Sequence, residues 1–156
     1  MKKINGKILV MFILALCAIF PFVKISVKDT ASANGGVYVD SGANVEINGG
    51  LFADSINTAF TYAGGEHVLS NVTITGSTNG AIHLVGGGSL TVTNCNITGN
   101  TTSGNGGAIY VGEGCTLNLV DTHIEGNSTE TGLGGAIYAA ANSVINISGN
   151  TLITGT

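Results

Sequence analysis

A five-residue motif, Gly-Gly-Ala-Ile-Tyr, occurs at residues 106–110 of this chain and again at residues 134–138. A degenerate copy stands at residues 79–83, and a shortened one at residues 35–38. Each copy is followed by a second apolar segment and then by a turn rich in Gly, Asn and Thr. A repeat with a period in the twenties is typical of solenoids, because so short a unit cannot bury its apolar face alone.

Three apolar segments recur in each repeat, and their register predicts stacked rungs that follow one another at intervals of 22 to 28 residues. The inward residues of the first segments are predicted to be Val37 and Val39, Ala59 and Thr61, Ile82 and Leu84, Ile109 and Val111, and Ile137 and Ala139. Those of the second segments are Val45 and Ile47, His67 and Leu69, Leu90 and Val92, Leu117 and Leu119, and Ile145 and Ile147. Those of the third segments are Phe52, Ile74, Ile97, Ile124 and Leu152.

Alternation with a period of two is that of β-strands, in which successive side chains point to opposite faces. Three short strands per turn predict an all-β fold, a right-handed, single-stranded parallel β-helix (solenoid) of about five rungs. The hand is inferred by analogy with the preferred hand of parallel crossovers. After the third strand, residues 97–100 and 124–127 both end on Asn. We expect this Asn to satisfy backbone groups at the turn and to stack on its counterpart.

Residues 1–33 are predicted to be a secretory signal peptide. Lys2, Lys3 and Lys7 precede an apolar run at residues 8–23, and Ala31-Ser32-Ala33 is a small-residue cleavage site. The alternative is an uncleaved membrane anchor, since the run is about as long as the shortest spanning helices. The repeat domain is then residues 34–156, complete or a fragment of a longer solenoid. The predicted location is secreted or at the cell surface, with membrane contact only through an uncleaved signal.

The charge of the chain is unevenly distributed. All five basic residues lie before residue 34, whereas eight acidic residues and no Lys or Arg follow it, which gives that part a net charge of −8. Without cations to neutralise phosphates, nucleic-acid binding is excluded. Two cysteines remain, Cys95 and Cys115, at different positions of successive rungs. We expect both cysteines to be buried as free thiols that pack like small hydrophobic side chains. The alternative is that they form a disulfide.

The repeats resemble those of a known family. Gly-Gly-Ala-Ile repeats alternating with a hydrophobic-x-x-Asn tetrad are similar to the repeats of chlamydial polymorphic outer-membrane proteins and of related adhesin-like β-helix proteins, within the pectin-lyase-like superfamily. The resemblance covers residues 35–156 and is best from Gly80 onward. It departs at Ile97 and Ile124, where that family's tetrad usually begins with Phe. The resemblance implies a secreted or surface-exposed passenger used for adhesion.

One column of the first strand is a candidate ligand-binding surface. The residues predicted to point outward there, as an aromatic ladder, are Tyr38, Phe60, His83, Tyr110 and Tyr138. Such a ladder can stack on sugar rings or contact a protein on a host or neighbouring cell. The alternative is that it only stabilises strand pairing. The inward and outward parity can also be the reverse, with Ala108 and Tyr110 inside.

No catalytic set, metal site or cofactor is predicted. His67, His83 and His123 belong to different strands without metal-ligand spacing, and no two carboxylates are placed as a glycosidase pair. The sequence therefore predicts a non-catalytic, adhesin-like binding module. The alternatives are a carbohydrate-active lyase or hydrolase of the same superfamily, and a structural spacer. End-to-end self-association is a further expectation, because open β-helix ends expose strand edges.

Overall fold

The structure is a computed structural model that describes residues 22–26, 30–32, 36–41 and 43–155. These residues form short strands joined by turns, and every pair of neighbouring strands is parallel. The chain coils through three long sheets in turn, so that each strand pairs with its counterpart one rung away. The predicted parallel β-helix is confirmed.

Three long sheets and one short sheet contain the strands. The first sheet consists of β3 (Val37–Val39), β6 (Phe60–Ala63), β9 (Ile82–Val85), β13 (Ile109–Val111) and β17 (Ile137–Ala139). The second sheet consists of β1 (Phe22–Ser26), β4 (Asn44–Asn48), β7 (Glu66–Ser70), β10 (Ser89–Thr93), β14 (Thr116–Val120) and β18 (Val144–Ser148). The third sheet consists of β2 (Thr30–Ser32), β5 (Leu51–Ala53), β8 (Thr73–Thr75), β11 (Asn96–Thr98), β15 (His123–Glu125) and β19 (Leu152–Thr154). The short sheet pairs β12 (Thr101–Thr102) with β16 (Ser128–Thr129).

The interior is filled by columns of side chains that alternate with outward ones along each strand. In the middle rungs Ile82, Leu90 and Ile97 are fully buried, as are their counterparts Ile109, Leu117 and Ile124 in the next rung. Burying a side chain of this size stabilises the fold by roughly 1.5–3 kcal/mol. The predicted inward parity of the Ile column is therefore right, and the reversed parity is wrong.

In the second rung, the predicted inward residues of the first strand are wrong by one position. Val37 pairs with Phe60 and Val39 with Tyr62, so Phe60 and Tyr62 point inward and Thr61 points outward. The turn that follows contains only Gly64 and Gly65, both at positive φ, where the next rung has three glycines. This shorter turn places two large rings at the inward positions of the strand, and their burial removes far more apolar area from water than inward Ala and Thr side chains would.

In the last rung, the predicted third-strand residue is also wrong by one position. Ile153, not Leu152, pairs with Ile124 and continues the inward column, while Leu152 pairs with the outward His123.

Two asparagines form a buried column at the turn after the third strand, as expected. Asn127 Oδ1 accepts hydrogen bonds from the backbone N–H and the side-chain amide of Asn100, at 3.0 and 2.9 Å. Asn100 Oδ1 in turn accepts the N–H of Ser77 at 3.0 Å. The Nδ2 groups donate to backbone carbonyls of the third sheet, among them that of Ile97 at 2.8 Å.

Cys95 and Cys115 are buried and do not form a disulfide with each other, as expected. Burial raises the pKa of Cys95 to about 11, so its thiol is protonated at neutral pH.

The predicted signal peptide lies mostly outside the described residues, and Ala33, after which cleavage is predicted, is among those outside. Within that segment β1 pairs with β4 and β2 pairs with β5, and Lys24 forms an ion pair of 2.7 Å with Glu46. Cleavage after Ala33 stays a prediction. No helix long and apolar enough to cross a membrane occurs among the residues that the structure describes.

Candidate ligand-binding face

The outward side chains in the middle of the first sheet form a single column. Strand pairing places its members in register, and we call them the outer column: Tyr38, Thr61, His83, Tyr110 and Tyr138. Each stands on its own strand and lies opposite its neighbour, at the ~4.8 Å spacing of paired strands.

The rings of the outer column contact each other at its C-terminal end. The centroids of Tyr110 and Tyr138 are 5.4 Å apart with the rings inclined at 17°, which is a stacked arrangement. His83 and Tyr110 are also 5.4 Å apart, but their rings are tilted by 54°. Ring pairs at such distances attract each other beyond the effect of area burial. The three rings therefore form a continuous aromatic surface over three rungs.

Each ring of the outer column keeps part of its surface in contact with solvent. Tyr38 is 47% exposed, while His83, Tyr110 and Tyr138 are half-buried. Burial lowers the pKa of His83 below its ordinary value, so the imidazole is neutral at pH 7. The outer column thus offers uncharged ring surface to a ligand.

The glycines of the Gly-Gly-Ala-Ile-Tyr motif have a structural role. Gly106 has a φ of 74°, which side-chain-bearing residues rarely adopt. A Cβ atom on Gly107 would overlap the carbonyl oxygen of Gly135 in the next rung. Ile109 fills the core, so Tyr110 is the only large side chain of the motif that reaches the surface.

Four of the five residues predicted for the aromatic ladder do lie in the outer column. The exception is Phe60, which is fully buried and packs with its ring centroid 4.6 Å from that of Phe52 and 6.0 Å from that of Tyr62. Thr61 takes its place outside. The short Gly64-Gly65 turn is the sequence signal that could have revealed this shift.

The outer column is interrupted where Thr61 stands between Tyr38 and His83. An open depression of about 190 Å³ lies beside Thr61, on the side of Tyr38 and of the turns that precede the strands of the first sheet, and His83 is not part of its lining. Its lining residues are Gly36, Val37, Tyr38, Asn57, Thr58, Thr61 and Asn79. A hydrogen bond of 2.8 Å from Thr58 Oγ1 to the carbonyl oxygen of Asn79 joins two of the lining residues.

The other histidines occupy separate parts of the fold. His67 points inward, as expected, where its Nδ1 accepts the N–H of Val45 at 3.3 Å and its Nε2 donates to the carbonyl of Gly64. His123 lies on the outer face of the third sheet, with its Nε2 3.5 Å from a carboxylate oxygen of Glu125. In the described part of the chain, no three His, Cys, Asp or Glu side chains are grouped so as to hold a metal ion.

The chain belongs to the family described as the right-handed β-helix region, whose family model matches residues 22–155. This match agrees with the parallel coil of three sheets and identifies its hand. No curated protein and no solved structure matches the chain at a significant level. The family therefore establishes the fold, and proposals about function depend on the outer column.

Proposed function

We propose that this protein is a secreted or cell-surface binding module without catalytic activity, and that the outer column contacts carbohydrate. The observation that carries the proposal is the stacked, half-buried pair of Tyr110 and Tyr138, continued by His83. Aromatic faces pack well against the apolar faces of sugar rings, and the phenolic hydroxyl of tyrosine can form hydrogen bonds with sugar hydroxyl groups.

The charge of the chain favours a neutral glycan. Residues 34–156 contain no Lys or Arg, and they carry eight acidic side chains. An anionic polysaccharide would be repelled by this surplus of negative charge and would find no guanidinium or ammonium group to bind it. A neutral chain of sugars is not penalised in this way.

The resemblance of the repeats to those of adhesin-like β-helix proteins in the pectin-lyase-like superfamily supports an adhesin-type role. The basic, apolar and small-residue pattern of residues 1–33 supports export through a signal peptide. Mass spectrometry of the exported protein tests this part of the proposal. A chain that begins at Asn34 supports cleavage, and a chain that keeps residues 1–33 contradicts it.

A glycan array tests the binding function when it is combined with an array of cell-surface proteins. We expect the wild type to bind neutral glycans, and Tyr110→Ala and Tyr138→Ala each to weaken binding by about tenfold, which corresponds to about 1.4 kcal/mol. The matched control is Thr116→Ala, on the outer face of the second sheet.

Three results would contradict the proposal. If glycan binding survives both tyrosine substitutions, the outer column only stabilises strand pairing and does not bind the glycan. Binding to cell-surface proteins alone would replace carbohydrate by a protein partner. Release of unsaturated or reducing sugar ends from a polysaccharide by the purified protein would show the alternative, a carbohydrate-active enzyme.

A further inference from the structure

The interruption of the outer column at Thr61 has the dimensions of one missing ring. Where the column is filled, ring centroids are 5.4 Å apart from one rung to the next. Tyr38 and His83 stand two rungs apart, which corresponds to about 10 Å between their strands. A flat ring in contact with atoms on both sides needs about 7–8 Å, since carbon atoms in contact are ~3.5–4.0 Å apart. This spacing is enough for one ring, and the depression lies at the Tyr38 end of it.

The depression at Thr61 is also of the size of a single small ring. Its volume is about 190 Å³. Sites for drug-sized ligands begin at roughly 300 Å³. The depression is therefore too small for a large ligand but can accommodate one unit of a chain whose other units lie along the face.

Polar groups surround the depression. Asn57 and Asn79 are both exposed and contribute to its lining, and an asparagine amide offers two donors and an acceptor. Asn79 Oδ1 accepts a hydrogen bond of 3.4 Å from Thr102 Oγ1, which directs one end of this amide away from solvent. The amides of Asn57 and Asn79 can form hydrogen bonds with hydroxyl groups at the edge of a ligand whose face packs on the ring of Tyr38.

From this geometry we infer that the depression at Thr61 is a subsite for one neutral pyranose ring. The sugar ring lies beside Thr61 with one face toward Tyr38. Its hydroxyl groups then lie near the amides of Asn57 and Asn79. The inference rests on the proposed function, because it places one sugar unit of the bound glycan on the same face.

A substitution that fills the depression with a side chain tests the inference. In Thr61→Tyr the new ring completes the outer column and occupies the space of the ligand. The probes are neutral hexoses and N-acetylhexosamines, as monosaccharides and short oligosaccharides, with hexuronic acids as anionic comparators. Binding is measured by calorimetry and by saturation-transfer NMR. The control is Thr116→Tyr, which adds the same ring to the outer face of the second sheet.

We expect Thr61→Tyr to weaken binding of the neutral sugars by at least about tenfold, while Thr116→Tyr leaves it unchanged. An unchanged melting temperature of Thr61→Tyr shows that the fold is intact. Tyr38→Ala, which removes the neighbouring ring without filling the space, should weaken binding as well.

Two results overturn the inference, and they differ in what they imply for the proposed function. If Thr61→Tyr binds as tightly as the wild type but Tyr110→Ala and Tyr138→Ala bind weakly, glycan binding holds and the subsite at Thr61 does not. If the wild type binds none of the neutral sugars, the subsite is wrong, and the arrays of glycans and cell-surface proteins decide separately what the face binds.

Discussion

Asn100 connects three rungs through a side chain that has no contact with solvent. Its amide donates to the carbonyls of Ile74 and Thr98, each at 3.2 Å, and its Oδ1 accepts the N–H of Ser77. Buried polar groups that lose such a partner retain the cost of leaving water. This column therefore fixes the turn between the third sheet and the next rung.

Replacement of Asn100 by Ala should lower the free energy of unfolding by about 3 kcal/mol, because several buried backbone groups are left without partners. The matched control is Asn96→Ala, at an exposed strand position, where a change within about 0.5 kcal/mol is expected. Urea denaturation measures both. Equal effects at the two positions would contradict a structural role for the buried column.

Stability should also depend on the ionisation of His67. Burial is the largest influence on its pKa and lowers it below the ordinary value of 6.5, although the hydrogen bond to the carbonyl of Gly64 acts in the opposite direction. The stabilisation from the neutral imidazole is fully present above pH 6.5. As the pH falls from 6.5 toward the lower pKa of the folded state, the unfolded state binds the proton first, and the free energy of unfolding decreases.

Urea denaturation at a series of pH values from about 7.5 to 5 measures this effect. We expect the decrease in the free energy of unfolding to be smaller in His67→Leu than in the wild type, whatever the absolute stability of the variant. The two proteins differ only at residue 67, so the difference between the two curves isolates the contribution of His67. Identical pH dependence in both proteins would show that His67 is not held in its neutral form.

At the scale of the strands, β6 shows what the sequence can predict and what it cannot. Period-two alternation identified the inward columns wherever the rungs keep one spacing, as at Ile82, Ile109 and Ile137. It missed the one-residue shift at Phe60, because the shift depends on how few residues the Gly64-Gly65 turn needs to reach the next sheet. The depression at Thr61 was missed for the same reason, since it exists only once Thr61 points outward.

The register of β6 can be tested by a pair of substitutions. Phe60→Ala should lower the free energy of unfolding by about 3–5 kcal/mol, because it leaves a cavity beside Phe52 and Tyr62. Thr61→Ala should change it by less than about 0.5 kcal/mol, since Thr61 faces outward. Thermal or urea unfolding of both variants gives the comparison. A larger effect at Thr61 than at Phe60 would instead support the register predicted from the sequence, with Thr61 pointing inward.

At the scale of the whole molecule, stability depends on contact between adjacent rungs. The last rung of the described chain lacks such contact on one side. Ile147, in the same column as the fully buried Leu119, is 55% exposed, and Ile153 of the third sheet is also exposed. An exposed row of apolar side chains beside unpaired strand edges favours association.

We expect a polypeptide that ends at Thr156 to self-associate through this last rung, with a mass that increases with concentration in sedimentation velocity. Ile147→Lys should shift the protein toward the monomer, because the charged side chain would have to be buried in the contact. The control is Val68→Lys, on the outer face of the second sheet. A monomer at all concentrations in the wild type would contradict the expectation.

The central proposal is that the outer column of the first sheet binds a neutral glycan, and the four tyrosines of the chain allow a direct test. Tyr38, Tyr110 and Tyr138 lie in the outer column, whereas Tyr62 is fully buried and serves as an internal control. The measurement is the NMR titration of selectively labelled tyrosine rings with neutral oligosaccharides. We predict that the ring signals of Tyr110 and Tyr138 shift in a saturable manner while that of Tyr62 does not. If no ring signal of the outer column shifts with any of these sugars, the proposal is wrong.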